Sequence, residues 1–246
     1  MAGYKRYRKD SEVSYALGIT LTFELLYNRP EQVTRVYIHS QCKEGEALER
    51  LLGLCRKQAV ETVYTDKIFN VLSQKENCYV IGEFKKFAGD LDKKASHVVL
   101  VNPSNAGNMG TIMRSAVGFG VQQLAIIRPG VDIFDPKTVR ASMGAIFRIQ
   151  YKYYDSFEEY LKENNQTGDG VERVCYPFML DARKKLHDVQ FGKRFSLIFG
   201  NEATGLPADF HEVGTTVIIP HTDNIDSLNL PIAASIALYE ATKQEF

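Results

Sequence analysis

The sequence predicts an α/β protein, a parallel sheet with helices on both faces, preceded by a smaller α/β part. Three observations carry this. From Ser96 onward, short apolar strands alternate with helix-like segments. Three polar turns, the first two of them glycine-containing, follow apolar strands at their carboxyl ends, where ligands bind in such sheets. At 246 residues the chain suits one large or two modest domains.

The elements follow in order. Residues 13–27 carry apolar side chains at helical spacing and predict a helix, ended by Asn28-Arg29-Pro30. Residues 33–39, rich in β-branched and aromatic side chains, predict a strand. An amphipathic helix is expected over 46–58 and a short strand over 62–64. A helix capped by Asp66 is expected over 67–72, then a strand over 78–82. The charged stretch from Lys85 to Lys94, with Gly89 inside it, reads as a linker. The domains are accordingly expected at 1–90 and 91–246. In the second, strands are expected over 97–102, 123–127, 195–199 and 215–219. Helices are expected over 110–119, 139–147 and 231–242, with a helical turn at 208–211.

Composition bounds the function. With 44% hydrophobic and 24% charged residues the chain is an ordinary globular protein. Thirty basic and thirty acidic residues cancel, which argues against nucleic-acid binding by bulk charge and leaves room for local basic patches. Lys5, Arg6, Arg8 and Lys9, interleaved with Tyr4 and Tyr7, form one such patch, readable as an RNA contact or as a solvated terminus. Cys42, Cys55, Cys78 and Cys175 lack metal-ligand spacing, so no metal is expected. No apolar run reaches the length of a membrane span and the first ten residues lack a signal-peptide core; a cytoplasmic location is expected.

The chemistry lies in three segments. The first runs from Asn102 through Asn108 to Arg114, the second is Phe199-Gly200-Asn201-Glu202 continuing to Gly205-Leu206-Pro207, and the third joins Ile218-Ile219-Pro220 to Ser227-Leu228-Asn229. Asn108 stands where a helix cap is expected. Arg114 lies too far along to serve the cap and is suited to clamping a phosphate. Gly200 permits close approach of a ligand to the backbone, with Asn201 and Glu202 as polar neighbours. Ser227 and Asn229 suit a cap for the helix beginning near Pro231, which is compatible with a ligand contact. Arg140 and Ser142 could face RNA or simply a helix surface, and His221 receives no role.

In order and spacing these segments resemble the three motifs of the SpoU (TrmH-like) branch of the SPOUT RNA methyltransferases, over roughly the last three-fifths of the chain. The resemblance implies a C-terminal trefoil knot, a homodimer, and methyl transfer from S-adenosylmethionine to a ribose 2′-hydroxyl of RNA. It implies Arg114, Asn108, Glu202, Ser227 and Asn229 as the catalytic set and Gly200, Ile219 and Leu228 as cofactor-binding residues, with the backbones of Ile219 and Leu228 reading the adenine edge. The β/α pattern of residues 1–90 looks like the small RNA-substrate-binding domain of many relatives. It lacks their opening Gly-x-His, having Ser14-Tyr15-Ala16-Leu17-Gly18 instead. An N-terminal part of this kind leans toward ribosomal RNA over tRNA. The alternative is a non-catalytic RNA-binding or ribosome-assembly factor that keeps the fold, against which the intact set of polar residues argues. A dinucleotide-binding or P-loop enzyme is excluded, since neither Gly-x-Gly-x-x-Gly after the first strand nor Gly-Lys-Ser/Thr occurs.

Overall fold

The segment expected to be one helix over 13–27 divides at Gly18. Before it lies strand β1 (Val13–Leu17) and after it helix α1 (Ile19–Asn28). Gly18 has φ 111°, a conformation that a side chain disfavours, and so turns the chain sharply between the two. The computed structural model describes residues 4, 6–72, 77–165 and 168–246. Strand β2 (Val33–Ile38), helix α2 (Glu46–Lys57), strand β3 (Glu61–Tyr64), helix α3 (Lys67–Leu72) and strand β4 (Val80–Lys85) follow close to expectation. Asp66 directs its carboxylate to the Ser40 N–H and hydroxyl, each at 2.8 Å.

Next come β5 (His97–Val101), α4 (Ala106–Gly118) and β6 (Gln123–Ile127), then α5 (Pro136–Ala141). They are followed by β7 (Gln150–Tyr154), α6 (Phe157–Asn164), β8 (Val174–Pro177) and the two-residue β9 (Lys184–Lys185). The chain closes with β10 (Phe195–Phe199), β11 (Val217–Ile218) and α7 (Leu230–Thr242). Sequence patterning missed β7, α6, β8 and β9.

Two compact units result: Met1–Phe87 with Asp132–Arg148, and Ala88–Val131 with Ile149–Phe246. The stretch 132–148, read from sequence as part of the C-terminal domain, therefore belongs with the first unit. That unit has a four-stranded sheet in the order β1-β4-β2-β3, with only the β2–β3 pair parallel. Phe23, Leu26, Val36, Leu48, Leu51 and Val80 form one core cluster; Tyr15, Tyr37, Ile68, Phe69 and Ile81 form another. The 132–148 stretch is bound in by the Ser14 hydroxyl donating to the Phe134 carbonyl and by Arg29 Nε donating to the Phe147 carbonyl at 3.0 Å. Phe84 packs against both Phe134 and Phe147.

Within that stretch the helix expected over 139–147 is interrupted. Asp135 caps α5 by accepting from the Lys137 N–H at 2.8 Å, with Pro136 at its first position. Met143 and Gly144 then take left-handed conformations, φ 49° and 93°, which end the helix before a short 3-10 turn at Ala145–Phe147. Arg140 is exposed, whereas Ser142 is buried and donates to the Val139 carbonyl at 2.7 Å, so Ser142 faces the core and not RNA. Of the N-terminal patch, Arg6, Arg8 and Lys9 are exposed and Lys5 lies outside the described residues, whereas Tyr7 turns inward: it donates to the Asp132 carboxylate, and the Lys86 ammonium lies 4.7 Å from its ring centroid.

The second unit carries a five-stranded sheet, all parallel, in the order β7-β6-β5-β10-β8. Its centre is apolar: every residue of β10 is buried, as are four of five in β5 and in β6. Continuous apolar runs are what a strand covered on both faces requires. At the amino end of β5 buried His97 meets the Tyr160 hydroxyl at 2.9 Å. Tyr160 meets the Ser196 hydroxyl at 2.6 Å, and Arg173 donates to the Lys93 and Ala95 carbonyls at 2.8 Å. Burial, then the nearby Arg173 charge, pushes the His97 imidazole down to about 3, so the ring is neutral.

Candidate active site

The strand order reverses between β5 and β10. Leaving β5 the chain builds outward through β6 and β7; β10 and β8 occupy the other side. In an open parallel sheet the crevice beyond the carboxyl ends at such a reversal is where ligands bind. The first motif leaves β5 and the second leaves β10, so both emerge at this point.

Asn102 turns out of β5 with φ 53°, a conformation that asparagine tolerates better than most residues. Helix α4 is capped by Asn105, not by Asn108 as expected: Asn105 Oδ1 accepts from the N–H groups of Gly107 at 2.8 Å and Asn108 at 3.0 Å. That placement frees the Asn108 amide, whose Nδ2 donates to Glu202 Oε1 at 3.2 Å.

Glu202 is the hub. Oε2 accepts from the Ser104 N–H and hydroxyl at 3.1 and 2.8 Å, and Oε1 also accepts from the Asn105 N–H at 3.1 Å. Partial burial works to raise the carboxyl's pKa. The combined hydrogen bonds, from its own backbone, Ser104 and Asn108, outweigh it and leave the value below the ordinary glutamate range. A carboxylate at the start of α4 is further favoured by the helix dipole. Asn201 reinforces the joint: Nδ2 donates to the Asn102 carbonyl at 2.8 Å, and Oδ1 accepts from the Ala203 N–H at 2.8 Å. Motifs one and two are thus one hydrogen-bonded assembly.

Gly200 is glycine for a backbone reason. A Cβ there would lie 2.1 Å from the Gly205 carbonyl carbon and 2.3 Å from the Leu206 nitrogen. The turn closes on itself through Gly205 N–H to the Asn201 carbonyl at 2.9 Å.

A cavity of about 260 Å³ opens against this turn. Gly200, Glu202, Ile219, Ser227 and Leu228 line it, as expected of the motifs, and so do Phe178, Met179, Leu180, Phe199 and His221. The Phe178 and Phe199 rings stack with centroids 4.7 Å apart. The contribution of 178–180 was missed because it depends on β8, a four-residue strand, Val-Cys-Tyr-Pro, whose pattern the sequence reading passed over. An adjoining cavity of about 550 Å³ shares Leu180, Ile218 and His221 and is also lined by Lys185, Asp223 and Asp226.

Asn108, Arg114 and Asn229 do not line the first cavity. Asn108 reaches it only through Glu202. Arg114 is exposed on α4 and makes no hydrogen bond or ion pair among the described residues. Asn229 occupies the cap position of α7 but makes no side-chain cap bond, contrary to expectation; its carbonyl accepts from the Ile232 N–H at 2.9 Å. The Ile219 carbonyl, expected to be free, meets His221 Nδ1 at 2.8 Å. Leu228 makes no backbone hydrogen bond among the described residues, so its N–H and carbonyl remain available.

The lining chemistry discriminates among ligands. Among the described residues Glu202 is the one carboxylate on the first cavity, and neither lysine nor arginine lines it. That suits a cationic ligand with an aromatic part and disfavours a polyphosphate, which would need cations or a helix N-terminus free of carboxylate. S-adenosylmethionine, a sulfonium joined to adenosine, fits this donor set. Among the described residues no group of three or more His, Cys, Asp or Glu is placed to hold a metal ion. No helix among them is long and apolar enough to cross a membrane.

Comparison with known proteins agrees with the geometry. The chain is 31% identical over 150 residues to a Synechocystis protein described as a tRNA/rRNA methyltransferase, an alignment covering 61% of this chain and 53% of that one. It is 31% identical over 151 residues to the 23S rRNA (uridine(2479)-2′-O)-methyltransferase of Streptomyces viridochromogenes, covering 60% and 52% respectively. The match thus spans about half the length of these two relatives. The fold superimposes on the SpoU methyltransferase AviRb of Streptomyces viridochromogenes, solved with AdoMet, with a TM-score of 0.82. That likeness covers 95% of this chain and 91% of that one at 24% identity. The profile of the SpoU rRNA Methylase family matches residues 95–239, more than half of the sequence and all three motifs, and the chain belongs to that family.

Proposed function

We propose that the chain transfers the methyl group of S-adenosylmethionine to a ribose 2′-hydroxyl of RNA, with ribosomal RNA favoured over tRNA, and that it acts as a cytoplasmic homodimer. One observation carries the reading. The three motifs converge on a cavity at the strand-order reversal, and its lining offers aromatic and apolar surface, unbonded backbone at Leu228 and a single carboxylate. In this reading Gly200, Ile219 and Leu228 hold the cofactor, and residues 200–229 follow the knotted path of the family. The sulfonium supplies the methyl group. The ribose oxygen forms the new C–O bond as the C–S bond breaks, and the electron pair stays on sulfur.

The protein's part is alignment and charge. Glu202, through Asn108 and Ser104, holds the start of α4 against the cofactor turn and so acts as a positioning residue. Ser227 and Asn229 orient the ribose. Arginine is no base near neutrality, so Arg114 clamps the RNA and stabilises charge on the attacking oxygen, while an RNA phosphate takes the proton. Asn108 and Arg114 lie six positions apart, about 9 Å along the helix axis. That separation, with the exposure of Arg114, supports service to the partner's cavity. The dimer surface is α7. Its exposed Ile232, Ile236 and Tyr239 recur at helical spacing, and the Ser115–Ser235 contact at 2.7 Å joins α7 to the helix that bears Arg114. Residues 1–90 select the RNA.

The test is incubation with methyl-labelled S-adenosylmethionine and unmodified ribosomal RNA or tRNA, followed by alkaline digestion. Label in alkali-resistant dinucleotides supports the reading and identifies the RNA class. Label only in mononucleotides would mean base methylation. Absence of both label and cofactor binding would favour a non-catalytic assembly factor.

A further inference from the structure

The sheet of the first unit has two faces. Helices α1 and α2 cover the one that carries Val36, Ile38 and Val80. Tyr15, Tyr37 and Ile81 share the other, and the N-terminal segment lies against it. The Tyr4 ring meets the Tyr37 ring edge-on, centroids 5.7 Å apart, and Tyr7 packs on the same cluster while donating to the Asp132 carboxylate. Lys86, stacked over the Tyr7 ring, donates from Nζ to the Lys9 carbonyl at 2.8 Å. The Ser11 N–H closes a turn on the Arg8 carbonyl at 3.0 Å, and the Lys86 N–H donates to the Glu12 carbonyl at 2.9 Å. A frayed terminus has no such ties.

Between these anchors Arg6, Arg8 and Lys9 are exposed. Their side chains make no hydrogen bond or ion pair among the described residues, although Asp10 and Glu12 follow directly in sequence. Arg35, Arg148 and Arg194, by contrast, each meet a carboxylate. Lys85, exposed at the end of β4, alternates onto the face of Ile81 and extends the charge.

We infer that residues 6–9 form a fixed phosphate-binding strip that grips the RNA backbone. This rests on the reading of RNA as the substrate and deepens it by assigning the surface that holds it. The tyrosine anchors fix the backbone that carries the cations, so less freedom is lost when phosphates dock. No carboxylate has to be displaced first, and the arginine fork matches a phosphate. Contacts of this kind set affinity and register and read no base.

The experiment is equilibrium binding of unmodified ribosomal RNA, and of unmodified tRNA, across a salt series. It compares the wild type with Arg6→Ser/Arg8→Ser/Lys9→Ser and with Tyr7→Ser, which keeps every positive charge and loses the anchor. Arg50→Ser/Arg56→Ser/Lys57→Ser is the control, removing the same charge from α2 on the opposite face. The first variant should bind about 100-fold more weakly at about 0.1 M salt, with a salt slope shallower by about 2, and match the wild type near about 1 M. Tyr7→Ser should lose about 10-fold. The control should bind as the wild type does, and the first variant should keep the wild-type unfolding temperature. Full affinity in either strip variant overturns the inference, as does an equal loss in the control. A wild type that binds neither RNA overturns it too, together with the RNA reading. Binding is measured without turnover, so a wild type that grips RNA through the strip but transfers no methyl group would strike the catalytic reading alone.

Discussion

Asn108 and Glu202, 94 positions apart in sequence, are joined by a hydrogen bond of 3.2 Å, and through it the helix of the first motif is held to the turn of the second. All four groups that Glu202 accepts from are donors: two backbone N–H groups, a hydroxyl and an amide. Glu202→Gln puts a donor against at least one of them. The expected cost is about 1–3 kcal/mol of stability, seen as a lower unfolding temperature, together with weaker cofactor binding. Because the folded pKa of Glu202 is depressed, its contribution is present above the ordinary glutamate range and is lost as pH falls through the folded value. The variant should therefore show less acid destabilisation below about pH 4 than the wild type. Equal acid sensitivity would remove Glu202 from the account.

Arg114→Ala should leave the unfolding temperature and cofactor affinity unchanged, since the side chain is exposed and touches neither the cavity nor a protein partner among the described residues. Methyl transfer to RNA should fall by at least about 100-fold. Arg114→Lys should recover little, because a lysine offers no planar fork of donors to a phosphate. Retained turnover in the alanine variant would exclude Arg114 from the reaction.

Gly200→Ala should damage the fold before it affects the ligand. Its Cβ would sit 2.3 Å or less from three backbone atoms, none of which belongs to a flexible side chain. A loss of about 3 kcal/mol or more is expected in chemical denaturation, alongside lost binding. Gly118→Ala is the control. It ends α4 with open space around it and should be neutral or stabilising by up to about 1 kcal/mol.

The buried His97 predicts a second pH effect, away from the cavity. Its folded pKa, about 3, lies below that of an unfolded histidine, near 6.5. The folded protein therefore binds fewer protons in between. Stability is complete above about pH 6.5 and falls at up to about 1.4 kcal/mol per pH unit as the solution is acidified toward the folded value. His97→Gln, compared by denaturation at pH 7.5 and 5.5, should be less stable at the higher pH and change less between the two. A parallel decline in both proteins would assign the acid sensitivity elsewhere.

The parts of the fold legible in sequence were those written locally. The runs that became β5, β6 and β10 are apolar at four of five positions each, and the motif turns carry their own glycines and asparagines. The polar hub was half legible: Glu202 and Asn108 were singled out, but the capping role went to Asn108 when Asn105 holds it. Two asparagines three positions apart look alike until backbone direction distinguishes them. Strands β7 and β8 were missed because tyrosines and a lysine interrupt their apolar pattern; Lys152 in β7 is held by Glu163 of α6 at 2.8 Å, a pairing only the fold reveals. The helix drawn through Gly18 followed a periodicity that the strand Val13–Leu17 shares by coincidence, and only the Gly18 backbone angle separates the two. Among the described residues the Arg114 and Asn229 side chains make no hydrogen bond or ion pair that would locate their function. Their assignment rests on the family pattern.

The excursion of residues 132–148 makes the protein hard to cut. The chain leaves the second unit after β6, contributes Phe134 and Phe147 to the first, and returns to form β7, the neighbour of β6. A truncation near Lys94 would therefore remove Phe84 and Ser14 and leave that excursion exposed, tethered at both ends to an otherwise intact sheet. Excising the excursion would in turn take phenylalanines from the first core. The first unit is thus no bead on a string: it is completed by a stretch whose two ends run into the second unit, so it cannot be cut out intact.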